Sequence, residues 1–316
     1  MRFLVAGPIL LLLGLMGGCA PTVSTPDDLV FVTLSAQQAI AVLGHQTSWP
    51  AGQQITYVAA DPEGRLVLAT SSRENRIYVY DAPSGRLRDI LSVGQTPKGV
   101  QIDHAGRWAA VANEGEGTIS LIELATLRIA ATIPVGPMPH NSVFSPDDQL
   151  LYVTLQGDSS VAVVSLPQRT VVDRLPAGRA PHNVDLSPDG RWLYVSNIGS
   201  RNLTVIDLTT RRIIRRIPLS APHYGVDATP DGRYVLVTGL ADSVVTVIDA
   251  QQLEVMQQIT VGPGPHGVRA SLDGRKAYVA LALQDRVAVL DLTTLTVTRY
   301  LSPGKGPFWI AIPGNS

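Results

Sequence analysis

The stretch Ser187-Pro188-Asp189-Gly190-Arg191 has the composition of a tight turn, and close copies of it recur along the chain at one fixed spacing. The six copies lie 42 residues apart and begin at Asp61, Asp103, Ser145, Ser187, Thr229 and Ser271. A second marker, the polar end of a short apolar run, keeps the same spacing at Asp81, Glu123, Ser165, Asp207, Asp249 and Asp291. Two markers that stay in phase over six copies indicate a tandem repeat.

Each repeat contains four short apolar runs separated by turn residues. In the copy that spans 181–222, these runs are 181–186, 192–195, 203–206 and 212–217. They are rich in β-branched and aromatic residues and are bounded by Pro, Gly, Asp and Ser, which is the pattern of β-strands. Four antiparallel strands in about 42 residues predict one blade of a β-propeller.

The two ends of the chain predict how the ring closes. Residues 308–312 match a first strand, and the chain stops at the turn that follows it. Residues 25–34 parallel the turn and second strand at 145–155, and residues 39–43 and the segment reaching Trp49 supply a third and a shortened fourth strand. One C-terminal strand and three N-terminal strands make a seventh blade, so we predict an all-β, seven-bladed propeller without free sheet edges. A six-bladed ring with loose ends is the alternative.

Several of these segments resemble the YVTN β-propeller repeat, over essentially all of residues 26–316. The resemblance is carried by Leu193-Tyr194-Val195-Ser196-Asn197, by Val205-Ile206-Asp207 and by the stretch from Val261 to Val268. It implies the propeller fold and leaves function open, because related propellers include surface-layer-like proteins, a periplasmic DNA-binding propeller, lactonases, the haem d1 domain of nitrite reductase and the copper domain of nitrous oxide reductase.

The first residues have the features of a targeting segment. A positive charge at Arg2 precedes an apolar run from Leu4 to Met16, which predicts a signal peptide over residues 1–18. The following Cys19-Ala20 resembles a bacterial lipoprotein signal, which implies lipidation of Cys19 and an outer-membrane location facing the periplasm. Residues 19–25 then form the anchor and linker, and residues 26–316 the propeller. Ordinary cleavage to a soluble secreted protein is the alternative. The membrane is contacted through the lipid alone.

Composition restricts the partners and the bonds that hold the fold. The formal net charge of −1 gives no general attraction to nucleic acid, so a nucleic-acid partner is not expected. Cys19 is the single cysteine, so a disulfide within the chain is excluded. The lack of a Cys-x-x-Cys-His motif likewise excludes covalent c-type haem. No oligomer is implied.

Histidines recur at the position where the first strand of each blade begins. Because these strands line the channel of a propeller, residues at this position point toward one axis. Copy by copy the position holds Thr56, Lys98, His140, His182, His223, His266 and Phe308. Neutral imidazoles that converge from rigid strands are suitable ligands for copper, zinc or a non-covalent haem, so we predict His140, His182, His223 and His266 as metal ligands. Lys98 beside them favours an anionic ligand, and Tyr224 is an alternative to His223 as the inward residue.

Three functional interpretations follow from this arc of histidines. The first is a non-enzymatic, lipid-anchored module that binds an envelope protein or a small polar ligand at the channel mouth; the second is a metal- or haem-binding, redox-associated propeller. A lactonase-like hydrolase is less favoured. Purely structural histidines, copied together by duplication, are the remaining alternative. Three residues further along the strands, Asp185, Asp227 and Arg269 are neighbours, and we predict an ion pair between Asp227 and Arg269 with Asp185 solvated or joined to it.

Overall fold

A computed structural model describes residues 28–45 and 47–315 as an all-β protein. Its 28 strands, in chain order and grouped by the hairpins they form, have the following bounds: β1 Phe31–Leu34, β2 Ala39–Val42 and β3 Ser48–Pro50; β4 Ile55–Ala60, β5 Leu66–Ser71, β6 Arg76–Asp81 and β7 Arg86–Ser92; β8 Pro97–Ile102, β9 Trp108–Asn113, β10 Thr118–Glu123 and β11 Arg128–Pro134; β12 Pro139–Phe144, β13 Leu150–Leu155, β14 Ser160–Ser165 and β15 Thr170–Pro176; β16 Pro181–Leu186, β17 Trp192–Asn197, β18 Asn202–Asp207 and β19 Arg212–Pro218; β20 His223–Ala228, β21 Tyr234–Gly239, β22 Val244–Asp249 and β23 Glu254–Thr260; β24 Pro265–Ala270, β25 Lys276–Leu281, β26 Arg286–Asp291, β27 Thr296–Leu301 and β28 Pro307–Ala311.

These strands form seven four-stranded antiparallel sheets, each a blade of one propeller. Blade 1 has the order β28-β1-β2-β3, and blades 2 to 7 are consecutive hairpins from β4-β5-β6-β7 to β24-β25-β26-β27. The innermost strands contact one another around the ring, from β4 and β8 through to β24, β28 and back to β4. The predicted seven blades and the closure by one C-terminal and three N-terminal strands are therefore confirmed.

Burial follows the position of a strand within its blade. In blade 4 the inner strand β12 and the third strand β14 are buried along their whole length, whereas Leu175 is the one buried residue of the outer strand β15. The inner three strands are sandwiched between two neighbouring blades, so both of their faces are buried. The core is therefore a ring of interfaces between blades.

The turn between the first two strands of a blade depends on a left-handed residue. Gly190 has φ of +68° and Gly232 has the same value, which a glycine adopts without steric cost. In blade 4 the same place is taken by Asp148, with φ of +55°, a conformation that Asp and Asn tolerate better than other side chains. This requirement explains why Asp-Gly recurs at the 42-residue spacing.

The targeting segment lies outside the described residues. The predicted signal peptide at 1–18, the lipidation of Cys19 and the linker at 19–25 therefore stay predictions. Within the described part of the chain, no helix has the length and apolar character needed to cross a membrane.

Candidate functional site

Aromatic and imidazole rings meet at one end of the central channel. Five of these rings belong to second residues of inner strands, namely His140, His182, Tyr224, His266 and Phe308, and a sixth belongs to Tyr57 of β4. The six rings contact one another. We call these six residues the aromatic mouth. The three histidines are each only 5–6% exposed. The predicted convergence of His140, His182 and His266 on one axis is present in the structure.

The rings of the aromatic mouth are in direct contact. The ring centroids of His140 and His182 are 4.0 Å apart, and those of His266 and Phe308 are 3.9 Å apart and stacked. His182 also meets the edge of Tyr224 at 4.9 Å and lies 5.9 Å from His266. Such edge and offset contacts are the preferred geometries of aromatic pairs. The mouth is consequently a packed surface rather than an open pore.

The imidazoles of the aromatic mouth are held neutral. Burial lowers the pKa of His140 and of His266 from 6.5 to about 3, and lowers the pKa of His182 well below its ordinary value. The Nδ1 atoms of His182 and His266 are buried and make no hydrogen bond to the described residues. A neutral imidazole with an unpaired nitrogen is the form that coordinates a metal centre.

His223 does not belong to this group, which corrects one of the predicted ligands. In blade 6, His223 pairs with Gly239; at the same place in blade 7, Pro265 pairs with Leu281. His223 therefore stands where blade 7 has the proline before its histidine, and the next residue, Tyr224, points to the channel axis. Its Nδ1 lies 2.8 Å from the carbonyl oxygen of Ala221 and its Nε2 lies 3.1 Å from Oγ1 of Thr246, both within blade 6.

The four-histidine copper or zinc set is therefore not assembled. Among residues 28–45 and 47–315, no group of three or more His, Cys, Asp or Glu side chains has the arrangement to hold a metal ion. The physical reason is the strand register of blade 6, which turns His223 away from the axis.

Hydroxyl groups of neighbouring blades fix the strands that carry the histidines. Oγ1 of Thr154 donates to the carbonyl oxygen of His182 at 3.1 Å, and Oγ1 of Thr238 donates to that of His266 at 2.5 Å. Ser196 does the same for Tyr224 at 2.8 Å. Each bond joins a second strand to the inner strand of the next blade, so the ring positions are set by the closed propeller.

Lys98 lies at the edge of the aromatic mouth and is already paired. Its Nζ is 3.3 Å from Oε2 of Glu114, and both side chains are partly exposed. The positive charge of Lys98 contributes to the low pKa of His140, after burial. Because Glu114 balances this charge, the mouth offers an anion less attraction than an unpaired lysine would.

The opposite end of the channel carries charges. Nη1 of Arg269 is 2.8 Å from Oδ1 of Asp227, and both side chains are buried, which confirms the predicted ion pair. Asp185 accepts hydrogen bonds from the backbone amides of Leu186 and Ala228 at 2.9 and 2.6 Å. Burial and the neighbouring Asp227 raise the pKa of Asp185 to about 7. We call Asp185, Asp227 and Arg269 the charged mouth.

A model of the Cytochrome D1 heme domain matches residues 109–221 and 199–305, together more than half of the chain. The chain belongs to the Cytochrome D1 heme domain family. This membership agrees with the resemblance to haem d1-type propellers inferred from the repeat. No curated protein matches the sequence.

Solved structures share the fold of this Cytochrome D1 heme domain family member. A chain of Kuenenia stuttgartiensis hydrazine synthase is 18% identical, with a TM-score of 0.74 and coverage of 86% of this chain and 93% of that one. A functionally unknown protein from Desulfotomaculum acetoxidans DSM 771 is 14% identical, with a TM-score of 0.79 and coverage of 90% and 98%. The dihydro-heme d1 dehydrogenase NirN, in complex with DHE, is 21% identical, with a TM-score of 0.69, and the match covers 89% of this chain and 65% of NirN. At these identities the likeness establishes the propeller fold.

Sequence reasoning missed two aromatic residues of the site. Tyr57 contacts His140 with ring centroids 5.7 Å apart, and Trp309 lies 5.9 Å from His266. Both are third residues of inner strands, where other blades have Gly or Asn. A Cβ atom at Gly99 would clash with the Asn141 side chain, so this ring of residues is tightly packed. The signal in the sequence was that the third position of the inner strand, which holds Gly or Asn in five blades, holds a large aromatic residue in the other two.

Proposed function

We propose that the protein binds a haem-type tetrapyrrole at the aromatic mouth. The observation that carries this proposal is the set of buried, neutral imidazoles, two of them with an unpaired Nδ1, among aromatic rings. Membership of the Cytochrome D1 heme domain family supports it. The broader interpretation from the sequence, a module that binds a ligand or protein at the channel mouth, is thereby narrowed to one ligand class.

The residues present fit this group. A haem brings its own ring nitrogens to the iron and would need only one or two protein ligands, for which histidine is suitable, whereas a structural metal ion usually needs four protein ligands. His182 and His266 are the residues that would hold the haem iron through an imidazole nitrogen. Tyr224 and Phe308 offer ring surface beside them, to which a flat macrocycle binds by stacking.

A bound haem would supply one-electron redox chemistry at this mouth. The chain contributes orientation and a dry, low-charge environment. Thr154 and Thr238 hold the backbones of His182 and His266 through their carbonyl oxygens, which fixes the positions of the strands that carry the two imidazoles. The pairing of Lys98 with Glu114 keeps the edge of the mouth electrically balanced.

Titration of the purified protein with haem, followed by its absorption spectrum, tests this function. We expect stoichiometric binding with a shifted absorption band, lost or displaced in His182→Ala or His266→Ala. The matched control is His45→Ala, because His45 is exposed and lies in the connection between β2 and β3, outside the aromatic mouth. Lack of stoichiometric binding, or identical spectra for all variants, would contradict the proposal.

For the location, we propose a lipid-anchored protein of the bacterial envelope, attached through Cys19 to the outer membrane and facing the periplasm. The proposal rests on the sequence from Leu15 to Ala20. Metabolic labelling with a fatty acid in a Gram-negative host should acylate the full chain and leave Cys19→Ser unlabelled. Equal labelling of Cys19→Ser would contradict the anchor and leave the haem proposal unaffected.

A further inference from the structure

The three histidines of the aromatic mouth differ in what surrounds Nδ1 of their imidazoles. Nδ1 of His140 lies 3.2 Å from Nδ2 of the Asn141 side chain. Nδ1 of His182 and of His266 is buried without a hydrogen-bond partner in the described part of the chain. A neutral imidazole carries one proton, and the hydrogen bonds around the ring decide which of its two nitrogens holds it. The Asn141 side chain is therefore in a position to set the tautomer of His140.

The orientation of the Asn141 amide is determined by a second contact. Its Nδ2 is also 3.3 Å from the carbonyl oxygen of His182, in the next blade. A carbonyl oxygen can only accept, so the amide atom that faces it is the donating nitrogen. This nitrogen has two hydrogens, one for the carbonyl oxygen and one for Nδ1 of His140. Nδ1 of His140 therefore accepts a hydrogen bond, and the proton of the ring is on Nε2.

The opposite tautomer of His140 has no free acceptor for its proton. With the proton on Nδ1, the ring would direct one donor against another, the Nδ2 group of Asn141. The carbonyl oxygen of His182 is the other acceptor close to this ring. Oγ1 of Thr154 and Nδ2 of Asn141 already donate to it, at 3.1 and 3.3 Å, and a carbonyl oxygen has two lone pairs. The tautomer with the proton on Nε2 satisfies all of these bonds.

The Nε2–H group of His140 is left without an acceptor in the described part of the chain. Unlike the Nδ1 atoms of His182 and His266, this Nε2 keeps some accessible surface. A nitrogen that carries a proton has no lone pair to offer a metal, whereas it can donate to an acceptor atom of a bound molecule. His140 is thus suited to hydrogen bonding at the mouth rather than to coordination.

The corresponding position of the other two histidine blades lacks this contact. In blade 5 it holds Asn183, whose Oδ1 accepts from the next backbone N–H at 2.9 Å and whose Nδ2 donates to a carbonyl oxygen of blade 6 at 3.5 Å. Neither amide atom of Asn183 bonds to the ring of His182. In blade 7 the position holds Gly267, which has no side chain. Of the three imidazoles, only that of His140 has its tautomer fixed by an amide.

We propose that Asn141 is a positioning residue that makes His140 a hydrogen-bond donor to the bound haem-type ligand and not a ligand of its iron. The inference rests on the proposed function and divides the roles within the aromatic mouth. His182 and His266 offer an imidazole nitrogen to the iron, and His140 offers an N–H to an acceptor oxygen of the ligand. Haem has such oxygens in the carboxylates at its edge.

Proton–nitrogen correlation NMR of the ligand-free protein tests the tautomer, because protonated and unprotonated imidazole nitrogens have well separated chemical shifts. At about pH 7 we expect Nδ1 of His140 to be unprotonated and Nε2 to be protonated, with the signals assigned by their loss in His140→Phe. A protonated Nδ1 in the parent protein would overturn the proposal, whether or not the protein binds haem.

Asn141→Asp tests the part played by the amide. A carboxylate can only accept, so the proton of the His140 ring should move to Nδ1 in this variant. The matched control is Asn183→Asp, the same change one blade further along, which should leave the nitrogen shifts of His140 as they are in the parent. An Nδ1 that stays unprotonated in Asn141→Asp, or an equal change in both variants, would contradict the role of Asn141.

The haem-loaded protein distinguishes a donor from an iron ligand. His140→Leu removes the N–H and should weaken haem binding roughly tenfold, and His140→Gln, whose amide also donates, should recover most of that loss. In both variants the absorption band of bound haem should keep the position that it has in the parent. A band displaced in both, as in His182→Ala or His266→Ala, would show that His140 holds the iron and would overturn the proposal. Lack of haem binding by the parent would overturn the proposed function and the donor role with it, while the NMR result still decides the tautomer.

Discussion

The two ends of the channel are built on the same inner strands and have opposite chemistry. At the second residue of each strand the rings of the aromatic mouth are uncharged, and three residues later the charged mouth holds Asp185, Asp227 and Arg269. At the aromatic mouth the buried imidazoles are neutral, because burial disfavours their protonated form. At the charged mouth the buried carboxylate of Asp227 keeps its charge, because the guanidinium of Arg269 pairs with it. The position along the inner strand thus decides whether a buried side chain is neutral or part of an ion pair.

The largest effect should come from breaking the ion pair of the charged mouth. Arg269→Met leaves the carboxylate of Asp227 buried without its cation, and loss of one partner from a buried pair costs about 3–5 kcal/mol of unfolding free energy. Urea denaturation measures it. The double variant with Asp227→Asn should recover much of the loss, and an equal stability of the single and double variants would contradict the pairing.

A smaller effect should follow the titration of Asp185. Its pKa rises from 3.8 in the unfolded chain to about 7 in the fold, so between these values the folded state binds a proton that the unfolded chain has released. This proton stabilises the fold, and the stabilisation is lost as pH rises through 7. Between about pH 6 and about pH 8 this loss is about 1.4 kcal/mol.

In Asp185→Asn the loss that this carboxyl contributes between these two pH values should disappear. Urea denaturation of both proteins at the two pH values measures the difference. A pH dependence that is unchanged in Asp185→Asn would contradict the protonated carboxyl.

The smallest effect should come from the hydroxyl bonds between blades. Thr238→Val keeps the shape of the side chain and removes both its donation to the carbonyl oxygen of His266 and its acceptance from the backbone N–H of Gly225, which should cost on the order of 1 kcal/mol of unfolding free energy. The exposed residue Thr210 offers a control, because Thr210→Val removes no side-chain bond to another blade. Equal losses in the two variants would show that the bond to His266 contributes nothing specific.

The repeat allowed most of the fold to be predicted from the sequence, because spacing and turn residues depend on local rules. It also placed His140, His182 and His266 on the axis and paired Asp227 with Arg269. It failed for His223, since Pro222-His223 imitates the Pro-His motif one residue out of register. The positions of Tyr57 and of the Asn141 amide depend on packing between blades, which no single repeat encodes.

The central claim is that neutral imidazoles converge at the aromatic mouth and bind haem there. Histidine side-chain NMR across a pH series tests it most directly. With signals assigned by single His→Phe variants, His140, His182 and His266 should stay neutral from about pH 7 down to about pH 5, and addition of haem should shift or broaden His182 or His266. Protonation of these three residues near their ordinary pKa, with no response to haem, would contradict it.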